Sequence, residues 1–213
     1  NIENKLYFGS KDNKFENGIS FGSISPSRNL EIADIDNDGD FDLILSNRKA
    51  KNEICLNDGK GNFEQIITFG EEADQTIGAD INNDGYLDLI TAERQTKNKI
   101  YLNDGKQNFS KIIEFGDDED ETRSIDLGDF DKDGFLDIVT GNLGTKNKIY
   151  FGDENSTFNR VFNLSKKNKT SSIKVADLDL DGYLDIVEGN SEARNYVYLG
   201  QKDGEFVKIG LRK

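Results

Sequence analysis

Histidine, methionine and tryptophan are absent from the 213 residues, and cysteine and proline occur once each. Without histidine there is no imidazole base, no imidazole zinc ligand and no Ser-His or Cys-His nucleophile system. Cys55 has no second cysteine with which to form an internal disulfide. No apolar run approaches the ~18 residues needed to span a bilayer, and no signal peptide is visible, so membrane insertion is not expected. Basic residues are also short: 27 Lys and Arg face 41 Asp and Glu, giving a net charge of −14. That charge makes nucleic acid and anionic membrane surfaces poor partners. A hydrophobic fraction of 34% against 32% charged residues leans toward disorder, yet 14 Phe and 7 Tyr argue for a packed core. The chain begins with Asn, so the expectation is that a leader has been removed or that this is a piece of something longer.

The sequence repeats. "ADIDNDGDFDLIL" begins at Ala33, "ADINNDGYLDLIT" at Ala79, "GDFDKDGFLDIVT" at Gly128 and "ADLDLDGYLDIVE" at Ala176. The first aspartates, Asp34, Asp80, Asp129 and Asp177, are 46, 49 and 48 residues apart. A second marker alternates with the first: "NKLYFG" at Asn4, "NEICLN" at Asn52, "NKIYLN" at Asn98, "NKIYFG" at Asn147 and "NYVYLG" at Asn195. Each is followed by a turn and a Phe, at Phe15, Phe63, Phe109, Phe158 and Phe206. Periods of this length denote supersecondary units stacked on their neighbours.

Within a unit every signal is for strands. Alternation as in Ile125-Asp126-Leu127 precedes the acidic stretch, and a β-branched run such as Ile138-Val139-Thr140 follows it. The Asn-x-Ile-Tyr-Leu strand comes next, then an Asn103-Asp104-Gly105 type of hairpin turn, then a last strand over 109–115. Four short strands per unit predict an all-β chain, a β-propeller of four-stranded antiparallel blades. Full repeats are expected over 29–68, 75–115, 122–163 and 171–211, with only the outer hairpin of another blade over 4–21. About four and a half repeats in a single domain over 1–213 suggest part of a larger propeller-like assembly, completed by further blades or by a homo-oligomer. The small residue before each first aspartate marks the innermost strand, where blades converge. The second unit is shorter, so a deletion of two or three residues is expected before Asp80, near 75–79.

The four acidic stretches share one template, Asp-x-[Asp/Asn]-x-Asp-Gly-x-x-Asp. Side-chain oxygens at positions 1, 3, 5 and 9 can converge on one point, and Gly at 6 permits the sharp turn. Hard divalent cations take six to eight oxygens, and Ca²⁺ tolerates irregular geometry. Position 7 is Asp40, Tyr86, Phe135 or Tyr183, so its backbone carbonyl is the expected ligand there. Solvated acidic turns without metal are the alternative. The stretch is no EF-hand, because Leu45, Thr91, Thr140 and Glu188 fill position 12.

This compact loop between two strands resembles the calcium loop of FG-GAP and VCBS repeats, as in integrin α-subunit propellers. The resemblance covers nearly the whole chain, from Asn4 to Leu211. It implies four Ca²⁺ sites with side-chain ligands Asp34, Asp36, Asp38 and Asp42; Asp80, Asn82, Asp84 and Asp88; Asp129, Asp131, Asp133 and Asp137; and Asp177, Asp179, Asp181 and Asp185. Four Ca²⁺ would bring the net charge from −14 to −6. The second loop, with Asn82 and Asn83, is expected to bind most weakly.

Tyr7, Tyr101, Tyr150 and Tyr198 recur at one strand position, with Cys55 in the second instance, and are expected in the core between blades. The run "GDDEDE", 116–121, is expected to be a solvated connection, a second cation site or basic partner being the other option. Counting leaves carboxylate pairs for glycoside hydrolysis open, but no acid stands apart from the loops, so no enzyme is expected. The function expected is a secreted or cell-surface calcium-binding module for adhesion, ligand binding or assembly, with a protein or glycan ligand presented on the face away from the metal loops. The alternative is a lectin or an accessory module of a polysaccharide-degrading protein.

Overall fold

The computed structural model describes residues 3–12, 14–15, 18–164 and 166–211. Residues 13, 16 and 17 of the expected hairpin, and the two residues at each end of the chain, lie outside that description.

A short hairpin comes first, β1 (Asn4–Leu6) with β2 (Ile19–Phe21). Four sheets of four antiparallel strands follow. Blade 1 is β3 (Ser27–Ala33), β4 (Asp42–Asn47), β5 (Asn52–Leu56) and β6 (Gln65–Phe69). Blade 2 is β7 (Gln75–Ala79), β8 (Asp88–Ala92), β9 (Asn98–Leu102) and β10 (Lys111–Phe115). Blade 3 is β11 (Thr122–Gly128), β12 (Asp137–Asn142), β13 (Lys148–Phe151) and β14 (Arg160–Asn163). Blade 4 is β15 (Thr170–Ala176), β16 (Asp185–Asn190), β17 (Tyr196–Gly200) and β18 (Phe206–Gly210). Strand order in each sheet is chain order. The blades join through their first strands, β3 beside β7, β7 beside β11 and β11 beside β15. Among the described residues no comparable contact returns from β15 to β3, so the four sheets form a propeller-like fan and not a closed ring.

Alternation in the middle strands sends one set of side chains to each neighbour. Ile44 and Ile54 of blade 1 meet Leu89 and Tyr101 of blade 2. Ile90 and Ile100 on the other side of blade 2 meet Ile125, Ile138 and Tyr150 of blade 3. Val139 and Ile149 then meet Ile173, Ile186 and Tyr198. Each such isoleucine, wholly removed from water, contributes about 1.5–3 kcal/mol. The hairpin's Leu6 and Ile19 cover Leu43, Leu45 and Cys55 on the free side of blade 1. They leave Leu30, Ile32 and Phe41 exposed.

Tyr101, Tyr150, Tyr198 and Cys55 are buried as expected, Tyr101 standing edge-on to Phe69 of the preceding blade at 5.6 Å between ring centroids. Tyr7 departs from the pattern and is 51% exposed, because no blade precedes its hairpin here. A Cβ at Gly128 would come within 2.5 Å of Leu184 on the next blade, which explains the small residue at that position. The last strand of blade 2 begins at Lys111 and not at Phe109, and an eight-residue connection replaces the tight turn. Asp104 organises that connection by accepting the Lys106 and Asn108 N–H groups, while Phe109 is a buried anchor. The shortening before Asp80 is shared: the connection from Phe69 to Gln75 is one residue shorter than that from Phe115 to Thr122, and β7 has five residues where β11 has seven.

Candidate metal centres

Each acidic loop joins the end of a first strand to the start of a second, and four loops are built alike. Position 4 has a left-handed backbone, with φ of 59° at Asn37, 57° at Asn83, 62° at Lys132 and 60° at Leu180. Position 6 follows with φ from 88° to 96° at Gly39, Gly85, Gly134 and Gly182. A Cβ at Gly39, Gly85 or Gly134 would touch nothing within 4 Å, so glycine is needed there for conformation and not for space.

The aspartates fold the loop by catching its own N–H groups. Asp34 accepts from Asp38 and Gly39, Asp80 from Asp84 and Gly85, Asp129 from Asp133 and Gly134, and Asp177 from Gly182. Position 5 turns to its own backbone: Asp38, Asp84, Asp133 and Asp181 each accept the N–H of position 7. The side chain at position 7 packs elsewhere, Tyr86 against Gly105 and Tyr183 under Lys132 Nζ at 3.8 Å from the ring centroid.

Position 9 does more than its place in the template suggests. The Asp137 carboxylate is fully buried; Oδ2 accepts the Phe130 N–H at 2.8 Å and Oδ1 the Gly152 N–H at 2.9 Å. Asp42, Asp88 and Asp185 make the same pair of bonds, to Ile35 and Asn57, Ile81 and Asn103, and Leu178 and Gly200. This carboxylate therefore pins the loop to the end of the third strand. Each oxygen keeps a second lone pair for another partner. Burial pushes Asp42 and Asp88 up to about 6 and Asp137 up to about 7, the backbone donors offsetting only part of it.

Three loops bring carboxylate oxygens from positions 1, 3 and 9 within 4.8 Å of one another: Asp34, Asp36 and Asp42; Asp129, Asp131 and Asp137; and Asp177, Asp179 and Asp185. Like charges so placed repel, and Asp36 is held above its ordinary range by burial and then by Asp38 and Asp34. Position 5 stands outside these sets. In the second loop Asn82 takes one carboxylate's place and donates to Asp84 at 2.8 Å. In the third, Arg160 pairs with Asp131. The donor set fits a hard cation: it is all oxygen, and Asp177 Oδ1 is buried with no partner among the described residues.

Two structural roles have no counterpart in the sequence reading. Asn52, Asn98, Asn147 and Asn195, seen only as markers, accept the N–H of Asn47, Glu93, Asn142 and Asn190 and close the turn between second and third strands. Position 4 links neighbouring loops, Asn37 donating to Gly85 O at 3.1 Å and Lys132 capping Tyr183. Leu180 carries the same left-handed backbone yet is 86% exposed, so its strain supports no contact. Leu180→Gly is expected to stabilise the protein by about 1 kcal/mol, read as a rise of ~2–4 °C in melting temperature. An unchanged or lower value would count against strain there.

The "GDDEDE" run is not simply solvated. Asp120 is buried and, with Asp117, holds Lys148 Nζ at 2.6 and 2.5 Å, while Glu121 pairs with Arg123. Burial alone would lower the Lys148 pKa, but the two carboxylates raise it. Two of the chain's own bases thus pair with three of the run's five acids.

Four alike sheets, each turning through an acidic loop, define a repeat β module. The FG-GAP-like repeat profile matches residues 80–140 and 129–188, together just over half of the chain. The protein belongs to this family. No curated protein matches it. Among solved structures, BBS1N in complex with ARL6DN is similar at 13% identity and a TM-score of 0.63 over 89% of this chain and 57% of that one. The V. cholerae biofilm matrix protein Bap1 is similar at 16% identity and a TM-score of 0.56, over 91% of this chain and 30% of that one. The chain thus spans little more than half of one neighbour and under a third of the other. Among the described residues no helix is long and apolar enough to cross a membrane.

Proposed function

We propose that this is a non-enzymatic calcium-binding module of a secreted or surface-displayed protein, serving adhesion, ligand binding or assembly. The observation that carries it is the repeated convergence of positions 1, 3 and 9 in three loops, in a chain whose charge of −14 a set of divalent ions would more than halve. Asp34, Asp36, Asp42 and their equivalents hold the ion, with Asn82 contributing an amide oxygen in the second loop. Position 5 joins by a modest side-chain rotation, and the carbonyl of position 7 completes the set. The ion supplies the positive charge that lets these carboxylates lie together. Membership of a repeat family and likeness to a biofilm matrix protein support an extracellular, non-catalytic role. The exposed Leu30, Ile32 and Phe41 on blade 1 and Val207 and Ile209 on blade 4 support further blades or a second copy at the open faces.

Titration calorimetry tests the reading. Ca²⁺ is expected to bind at four sites, one weaker than the rest, and Mg²⁺ far less well, since it demands near-ideal octahedral geometry. Asn82→Asp should tighten the weak site about tenfold or more by restoring a carboxylate. Absence of Ca²⁺ binding would overturn the proposal; four sites with N82D unchanged would overturn the ranking alone.

A further inference from the structure

At the opposite ends of the first strands lies a cluster of different chemistry. Arg28, Asp74, Arg123 and Ser171 each stand six residues before the first aspartate of their loop, Asp74 just before the first strand of blade 2 and the others within the first strands of blades 1, 3 and 4. The strand registers shift between Ser27 and Asn29, Thr122 and Ser124, and Thr170 and Ser172, so Arg28, Arg123 and Ser171 are bulge residues outside the ladder. Together with Leu143 and Ser191, these four line one cavity of about 300 Å³. Six residues of extended strand at ~3.3 Å each put it roughly 20 Å from the acidic loops.

The cavity is oversupplied with guanidinium. Asp74, its side chain only 7% exposed, takes Arg28 Nη1 at 3.0 Å, Arg94 Nε at 2.6 Å and Arg123 Nη1 at 3.3 Å. Glu121 pairs with Arg123. Arg28 and Arg123 line the cavity with Asp74 as the carboxylate among its lining, while Arg94 lies outside it, beside Arg48, Lys49 and Glu72. Arg94 Nη2 and Arg123 Nε are buried without an acceptor among the described residues. Burial, and then Arg94, Arg48 and Arg123 working against Asp74, lower the Arg28 pKa from its ordinary value. In a chain of −14 this is a local excess of positive charge.

The geometry points to an anion site here, taking a small hydroxyl-bearing carboxylate such as a sugar acid. A guanidinium fork matches a carboxylate with two parallel hydrogen bonds. The exposed Ser171 and Ser191 offer hydroxyl partners, and Leu143 offers an apolar wall. The volume suits a ligand of monosaccharide size, and the overall negative charge disfavours a polyanion. The competing explanation is an ion-pair network that only fastens blades 1 to 3 together. This site does not depend on the cation reading.

The test uses the whole chain in calcium buffer, with galacturonate as probe, galactose as its neutral counterpart and sulfate as a bare anion, followed by ligand-observed NMR. Galacturonate should saturate, galactose should not bind, and sulfate should compete at least tenfold less well. Arg28→Gln with Arg123→Gln should weaken galacturonate at least tenfold with a cooperative melt retained. Asp74→Asn removes an internal competitor and should tighten galacturonate several-fold, which keeps the test alive if the double variant fails to fold. No galacturonate binding, equal binding of galactose or sulfate, or indifference to Asp74→Asn would each overturn the assignment.

Discussion

Excess chelator is expected to lower the melting temperature by roughly 20 °C or more. An ion at a hundredfold over its Kd stabilises the folded state by about 2.7 kcal/mol, so four sites contribute about 10 kcal/mol. That is comparable with the whole stability of a domain, and each kcal/mol moves the melt of a chain this size by ~2–4 °C. The pH dependence should reverse with the metal. Without calcium, burial holds Asp42 and Asp88 at about 6 and Asp137 at about 7, above the unfolded value. The folded state then binds more protons than the unfolded one between about pH 4 and 7, so the chelated protein gains stability as pH falls through that window. Calcium holds the same carboxylates deprotonated, so the loaded protein loses stability as pH falls through their depressed values. Identical melts, or slopes of one sign, would refute the cation reading.

The second large effect separates the two duties of position 9. Asp137→Ala removes a fully buried carboxylate and strands the Phe130 and Gly152 N–H groups. Each orphaned donor costs about 1–3 kcal/mol, so a loss of roughly 3–5 kcal/mol is expected with or without calcium. Asp131→Ala touches no backbone donor in the loop; its carboxylate meets only Arg160 and the cation set. Its destabilisation should appear in calcium buffer and vanish in chelator. Equal behaviour of the two variants in chelator would show that position 9 is no clamp.

Much of this is legible in the residues. Strand order follows from alternation interrupted by acidic loops, and Gly39 and its equivalents announce the turn that their φ values realise. Positions 1, 3 and 9 converge because a short loop leaves them no other side on which to lie. Other features escape because their cause is distant in the chain. Arg28, Asp74 and Arg123 lie 46 and 49 residues apart, and they meet only after three blades have packed. Lys148 reaches both Asp117 and Asp120 from a strand 28 to 31 residues further along the chain. The clamp at Asp137 depends on Gly152, whose N–H is an ordinary strand donor until the hairpin folds back. Tyr7 carries the same residue type as its equivalents but lies just beyond β1 and is exposed, whereas Tyr101, Tyr150 and Tyr198 lie within strands and are buried.

Because strands pair only with chain neighbours, every sheet is made from one unbroken stretch such as 27–69 or 122–163. Such local connectivity shortens the loops that must close before hydrogen bonds form, which speeds folding relative to β proteins with distant pairings. A nascent chain can complete each blade soon after it leaves the ribosome and dock it on the one already made. Lengthening the array by one more repeat should then prolong synthesis without slowing the folding of the units already released.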